Sequence, residues 1–206
     1  MARSRIVSAE FYARDTVKVA PALLGKYLVR VIGRERLIGQ IVEVEAYGGK
    51  DDPASHAFRG PTPRNAPMYR DPGHAYVYFT YGNHYCLNIT TQKPGTPGAI
   101  LIRAIQPLAG IRSMRRFRPN VPDTELTNGP GKLTKALSVD KSLNEQDMTI
   151  RGPLFVTEPP AAQTNYEIWC STRIGIREGL DQRWRFYLKD NPYVSKRRGL
   201  LETKFR

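Results

Sequence analysis

Short runs with strand character, each closed by turn residues, recur through most of this chain, and that rhythm limits the fold more than any other feature. Lys26 to Ile32 alternates as a strand, Gly33-Arg34-Glu35-Arg36 supplies a turn, and Leu37 to Tyr47 returns as the second arm of a hairpin. Ala75 to Thr80, Tyr85 to Thr91 and Ala99 to Gln106 follow, with further short strands near 153–157, 168–175 and 184–189. Between them, residues 8–25 read as helix closed by Gly25, 107–117 as a basic helix, and Asn128-Gly129-Pro130 as another helix start. The expected fold is a mixed α/β (α+β) single domain over 1–206: a curved antiparallel, hairpin-connected sheet surrounded by helices. No repeat, low-complexity linker or composition break divides the chain.

Residues 48–73 lack periodicity and are punctuated by Gly and Pro, so they form a long ordered loop. Loops of that length in compact domains are usually functional.

Charge narrows the partners. Lys and Arg number 32 against 19 Asp and Glu, a net charge of +13. A compact body carrying such a field selects polyanions, above all nucleic acid. The cations are spread through folded sequence, not gathered in a tail or an amphipathic membrane helix. No apolar run approaches the roughly 20 residues that span a bilayer, and no secretory signal follows Met1. An intracellular protein is expected, in the cytoplasm or nucleoid of a bacterium or the nucleus of a eukaryote. Cys86 and Cys170 stand apart without CxxC spacing, so neither a disulfide framework nor a thiolate zinc site is expected. His74, His84 and Cys86 match no familiar metal-ligand spacing, and Asn88-Ile89-Thr90 would not meet the glycosylation machinery inside a cell.

The strand Ile41-Val42-Glu43-Val44-Glu45-Ala46-Tyr47 carries the most chemistry. With a period of two, Val42, Val44 and Ala46 share one face while Glu43, Glu45 and Tyr47 share the other. A half-exposed strand with solvated glutamates is the plainer alternative. Clustering downstream argues against it: six of eleven tyrosines (47, 69, 76, 78, 81 and 85) and all three histidines (56, 74 and 84) lie between positions 47 and 85. Aromatic faces provide walls on which an extruded base stacks, at about 1–3 kcal/mol per base. The apolar run Ala99 to Ile105 is interrupted by Arg103. A buried guanidinium requires a carboxylate, and Glu43 or Glu45 is the natural partner.

These segments resemble one family. IVEVEAY at 41–47, DPASHAFRGPTPRNAPMY at 52–69, YVYFTYG at 76–82, LNIT at 87–90, LIRAIQP at 101–107 and LTNGPGKLTKAL at 126–137 are similar to the alkyladenine (3-methyladenine) DNA glycosylases. The likeness extends from ALLGKYLVR at 22–30 to RIGI at 173–176 and RFYLKDNPYVS at 185–195. It implies Glu45 as general base for the attacking water and Arg103 as the group that helps hold that water. Tyr47, His56 and Tyr78 would wall the base pocket, Asn88 would exclude guanine at its floor, and Tyr81 would wedge into the gap left by the flipped nucleotide. Thr80 and Asn83-His84 depart from better-known members beside the wedge. Further implications are a metal-free, cofactor-free enzyme without a lyase step, acting as a monomer in base-excision repair. Its partner would be double-stranded DNA containing damaged purines of the 3-methyladenine, 7-methylguanine, hypoxanthine and ethenoadenine class. Arg64, Arg112, Arg115, Lys132 and Lys135 are candidate phosphate contacts, and Lys196-Arg197-Arg198 is either a tail or another such contact. Two other classes stay open on residues alone: a non-catalytic binder of structured DNA or RNA, and a hydrolase of free nucleosides.

Overall fold

The computed structural model describes residues 5–80, 82–160, 166–195 and 202–205. Its organising element is β2, Glu35–Tyr47, a 13-residue strand paired along both edges. One edge meets β5 (Ala99–Ala109); the other meets β1 (Tyr27–Ile32) through residues 35–40 and β8 (Arg185–Leu188) through residues 43–45. The sheet continues outward from β5 through β4 (His84–Thr90) to β3 (Ala75–Thr80), and from β8 through β7 (Ile168–Ser171) to β9 (Glu202–Lys204). β6 (Leu154–Thr157) pairs with β1. Among the described residues the sheet therefore has nine strands, all pairings are antiparallel, and it stays open. Four helices accompany it: α1 (Ala9–Tyr12), α2 (Thr16–Leu23), α3 (Ile111–Phe117) and α4 (Pro130–Ala136). The fold is the expected α+β mixture.

The two faces of β2 behave as their alternation dictates. Val42, Val44 and Ala46 join Val77, Leu87, Ile89, Ile100 and Ile102 in the main core, with Val19, Ala20 and Leu23 of α2 and Leu133 and Ala136 of α4. Each large aliphatic side chain removed from water there contributes roughly 1.5–3 kcal/mol. The opposite face holds Glu43, Glu45 and Tyr47. It is not a solvated surface, because Glu43 and Glu45 are both wholly buried. The plainer reading of that strand is excluded.

Several expected boundaries move. The helix over 8–25 is two helices, since Asp15 turns out of line and caps α2 by accepting from Lys18 N at 3.1 Å. The helix over 107–117 begins only at Ile111. Pro107 to Ala109 remain in β5, where a register shift opposite Ile38 and Gly39 accommodates a proline that cannot donate to a ladder. Gly110 then turns the chain at φ +72, and a Cβ there would lie 2.8 Å from the Arg36 carbonyl oxygen. The β1–β2 turn shrinks to Gly33-Arg34. β7 stops at Ser171, so Arg173 to Ile176 are free of the ladder and fold across the polar face of β2.

Candidate active site

The polar face of the sheet floors a cavity of about 300 Å³, at the lower end of the usual size range for ligand sites. Register builds its lining. On β3 and β4 the paired residues Tyr76 and Asn88, then Tyr78 and Cys86, face inward; β5 adds Ala99, Leu101 and Arg103, and β2 adds Tyr47. The 48–73 loop contributes Ala54, His56 and Met68, the 173–176 segment contributes Ile174 to Ile176, and Pro130 at the head of α4 closes one side.

That loop is held by buried polar side chains, which is why it is ordered without periodicity. Asn65 donates to the carbonyl oxygens of His56 (2.7 Å) and Gly60 (2.9 Å) and accepts from Thr62 N. Asp52 accepts from Gly48 N and Ala54 N, and receives a two-pronged grip from Arg173 at 2.6 and 2.7 Å. Both partners of that ion pair are buried. The Arg173 guanidinium lies 4.7 Å from the Tyr47 ring centre and 5.2 Å from that of Trp184.

From Arg103 in the cavity wall a chain of four charges runs into the interior. Arg103 donates from Nε to Glu43 Oε1 at 2.8 Å and sits with Nη1 3.1 Å from Glu45 Oε1. Both glutamates are thus its partners, where the sequence left the choice open. The geometry follows from an irregularity in the β2–β5 ladder between Ile41 and Val44, which leaves Arg103 diagonal to the two carboxylates. Such bulges re-aim side chains. Glu43 also accepts from Arg185 Nε (2.7 Å), Ser195 N (2.7 Å) and Ser195 Oγ (2.6 Å). Burial alone would raise its pKa, but Arg103 and Arg185 outweigh that, so its carboxyl sits below the usual range. Burial lowers the pKa of Arg103, yet Glu45 and Glu43 more than reverse this, and it stays cationic.

Glu45 accepts from Ile174 N at 2.6 Å and from the Tyr47 hydroxyl at 2.8 Å. It does not itself line the cavity; its partners Tyr47, Arg103 and Ile174 do. Burial and the neighbouring Glu45 push Tyr47 well above its ordinary pKa, so the phenol stays protonated and donates a hydrogen bond to Glu45. Among the described residues, Oε1 of Glu45 meets Ile174 N and the Arg103 guanidinium while Oε2 meets the Tyr47 hydroxyl, so an acceptor site on Oε2 has no partner among them.

The aromatic wall is a tight group. His56 and Tyr78 meet edge to face at 4.6 Å, and Tyr76 lies 5.2 Å from Tyr78. His56 Nδ1 shares a hydrogen bond with the Tyr76 hydroxyl at 2.9 Å. Crowding by these rings, then the charge of Arg64, lowers the His56 pKa, although the residue as a whole is exposed at the cavity mouth. It is therefore neutral at pH 7. Desolvation raises Tyr78, and lifts Cys86 to about 11, so the Cys86 thiol also stays protonated. Asn88 is buried at the floor and donates from Nδ2 to the Tyr76 carbonyl at 3.0 Å.

The structure brings together Glu45, Arg103, Tyr47, His56, Tyr78 and Asn88. Tyr81 and Lys196-Arg197-Arg198 lie outside the described residues. Arg64 is exposed at the rim, its guanidinium 5.2 Å from the Tyr78 ring centre. Arg112 and Lys135 are exposed with no ion pair among the described residues, whereas Arg115 pairs with Asp123 and Lys132 with Glu125. Sequence reasoning missed Asp52, Arg173, Arg185 and Ser195. Arg185 carried the same signal as Arg103, a guanidinium beside the apolar run Phe186-Tyr187-Leu188, and the same argument finds it. Among the described residues no three His, Cys, Asp or Glu side chains gather as a metal site, and no helix is long and apolar enough to cross a membrane.

Comparison with known proteins identifies the family. The family model described as methylpurine-DNA glycosylase matches residues 10–192. A relative from Carboxydothermus hydrogenoformans is 49% identical over 194 residues, covering 93% of this chain and all of that protein. Relatives from Natranaerobius thermophilus and Methanocella arvoryzae are each 44% identical, covering 90% and 93% of this chain and 96% of theirs. All three carry the name 3-methyladenine DNA glycosylase as an inferred assignment. On a match of that extent, the chain belongs to the methylpurine-DNA glycosylase family, hydrolases that cleave the N-glycosidic bonds of DNA bases.

Proposed function

We propose that this protein works inside the cell in base-excision repair, drawing alkylated or deaminated purines out of duplex DNA and hydrolysing the N-glycosidic bond with a water activated by Glu45. The observation that carries this reading is a buried carboxylate ion-paired to a cationic Arg103 at the wall of an aromatic cavity, its Oε2 meeting the Tyr47 hydroxyl alone among the described residues.

Cleavage of a glycosidic bond builds oxocarbenium character on the sugar. An anion beside that sugar stabilises the charge, and the same anion accepts a proton from the incoming water. Glu45 Oε2 offers the acceptor site, and Arg103 orients the water from the cavity side. The faces of Tyr47 and Tyr78 stack the base, and attract the cationic rings of 3-methyladenine and 7-methylguanine through cation–π forces. These bases leave readily; neutral hypoxanthine and ethenoadenine need protonation as well and react more slowly. Neutral His56 offers the base a ring-nitrogen donor or acceptor. Asn88 at the floor rejects normal guanine by crowding its exocyclic amine. Tyr81, a role that rests on the family resemblance alone, fills the space vacated in the duplex. Flipping costs a few kcal/mol, least for damaged nucleotides. Arg64, Arg112, Arg115, Lys132 and Lys135 neutralise phosphates, consistent with the net charge of +13.

The test is base release from methylated duplex DNA, a hypoxanthine duplex, an undamaged duplex and free inosine. Release from both damaged duplexes, with none from undamaged DNA or inosine, is expected. Cleavage of inosine as fast as of the lesion duplex would make the protein a nucleoside hydrolase, and tight binding without any release would make it a binder.

A further inference from the structure

We propose that Glu43 is a positioning residue for the reaction: anchored by Arg185 and Ser195, its carboxylate holds Arg103 in the orientation that faces Glu45 and the cavity. The inference rests on the function proposed above and assigns a task to a glutamate that this function leaves idle.

Glu43 is as buried as Glu45. Where Glu45 meets three residues of the cavity lining, Tyr47, Arg103 and Ile174, Glu43 reaches that lining through Arg103, its other partners being Arg185 and Ser195. Its four contacts nevertheless fall into two sets. On one side Arg103 Nε is gripped at 2.8 Å, fixing the plane from which Nη1 extends toward Glu45. On the other, Arg185 Nε and both the amide and hydroxyl of Ser195 hold the carboxylate still. Arg185 is itself tied down, donating to Ser171 Oγ at 2.9 Å and to the Ser195 carbonyl at 3.1 Å. A guanidinium on a long side chain has several rotamers; attachment through Nε removes the rotations that would swing Nη1 from Glu45. Ser195, remote in sequence from Glu45, is thereby coupled to the reacting centre. Two arginines and two glutamates leave the buried group electrically neutral, so the arrangement does not rest on a bare internal charge.

A positioning role affects the chemical step more than binding. In Glu43→Gln the single-turnover rate of base release from a hypoxanthine duplex should fall about 100-fold, as expected when a reacting group is misplaced by an ångström. The dissociation constant for the same duplex should change by less than about threefold. Ser195→Ala, which removes one donor and leaves the amide in place, is the milder variant. Its rate should fall about threefold or more with binding and circular dichroism preserved and the melting temperature lowered by only a few degrees. Should Glu43→Gln fail to fold, Ser195→Ala decides alone: a slower step with unchanged binding supports the proposal, and a wild-type rate overturns it. Equal losses of rate and binding in a folded Glu43→Gln protein would also overturn it, as a general structural role. A wild-type protein that releases no base would overturn the glycosylase reading and this proposal together, whereas full wild-type activity matched by both variants overturns this proposal alone.

Discussion

Replacing Arg173 by methionine tests whether the buried Asp52–Arg173 pair, rather than aromatic packing, holds the long loop over the site. Asp52 and Arg173 are 0% and 2% exposed, and the pair is two-pronged at 2.6 and 2.7 Å. Removing one member of a buried ion pair leaves the other charge desolvated and costs about 3–5 kcal/mol. Two amide donors, Gly48 N and Ala54 N, remain on Asp52 and keep the loss from the upper limit. Against that, Arg173 also lies over the Tyr47 and Trp184 rings, and each such contact contributes about 0.5–2 kcal/mol. The sum is a destabilisation of at least about 4 kcal/mol, equivalent to a loss of roughly 8–16 °C or more in melting temperature for a chain of this length. Urea unfolding should show a lower midpoint with an unchanged m-value. Arg173→Met combined with Asp52→Asn should recover a large part of the loss, because no charge is then stranded. A single variant within about 1 kcal/mol of wild type would refute the reasoning.

Three further outcomes are expected. Asn88→Ala should raise the release of normal guanine from undamaged duplex; an unchanged rate would remove the exclusion role from Asn88. Binding should weaken linearly in log–log plots against salt, and Arg112→Ala and Lys135→Ala should each lower that slope by about 1. Arg115→Ala should lower it less, because Arg115 must first give up Asp123; equal slopes for all three would argue against a phosphate face at these positions. His56 takes up a proton at lower pH when folded than the ordinary 6.5 of the unfolded chain. Its contribution to stability is therefore complete above that value and declines as the pH falls below it. His56→Gln should lose this decline, seen as a smaller gap in urea stability between pH 7.5 and 5; an identical gap would contradict it.

What could be read from residues alone was the local part. The alternation of β2 separated core from chemistry, and β3 matched its expected bounds because Val77 and its neighbours have the pattern of a half-buried strand. The argument that a guanidinium in an apolar strand needs a carboxylate correctly joined Arg103 to the glutamates. Residue chemistry alone did not separate the two glutamates, and the family resemblance was what pointed to Glu45. Glu43 and Glu45 are equivalent in sequence, and only the ladder irregularity near Val42, the backbone amide of Ile174 and the arrival of Ser195 distinguish them. Those contacts span more than a hundred residues and leave no periodic trace. Helix limits failed for a local reason: Asp15 is a capping residue that reads as one more polar position in a longer amphipathic pattern, and Pro107 looks like a helix start although it lies in a strand.

The most direct test of the account compares wild-type protein with Glu45→Gln on a duplex carrying a single hypoxanthine, following both binding and the free base released in one turnover. The amide keeps the shape of the side chain but cannot accept the proton of water. Binding within a few-fold of wild type with base release abolished is the predicted result. Base release by Glu45→Gln at the wild-type rate would contradict it, and the role of that carboxylate would have to be withdrawn.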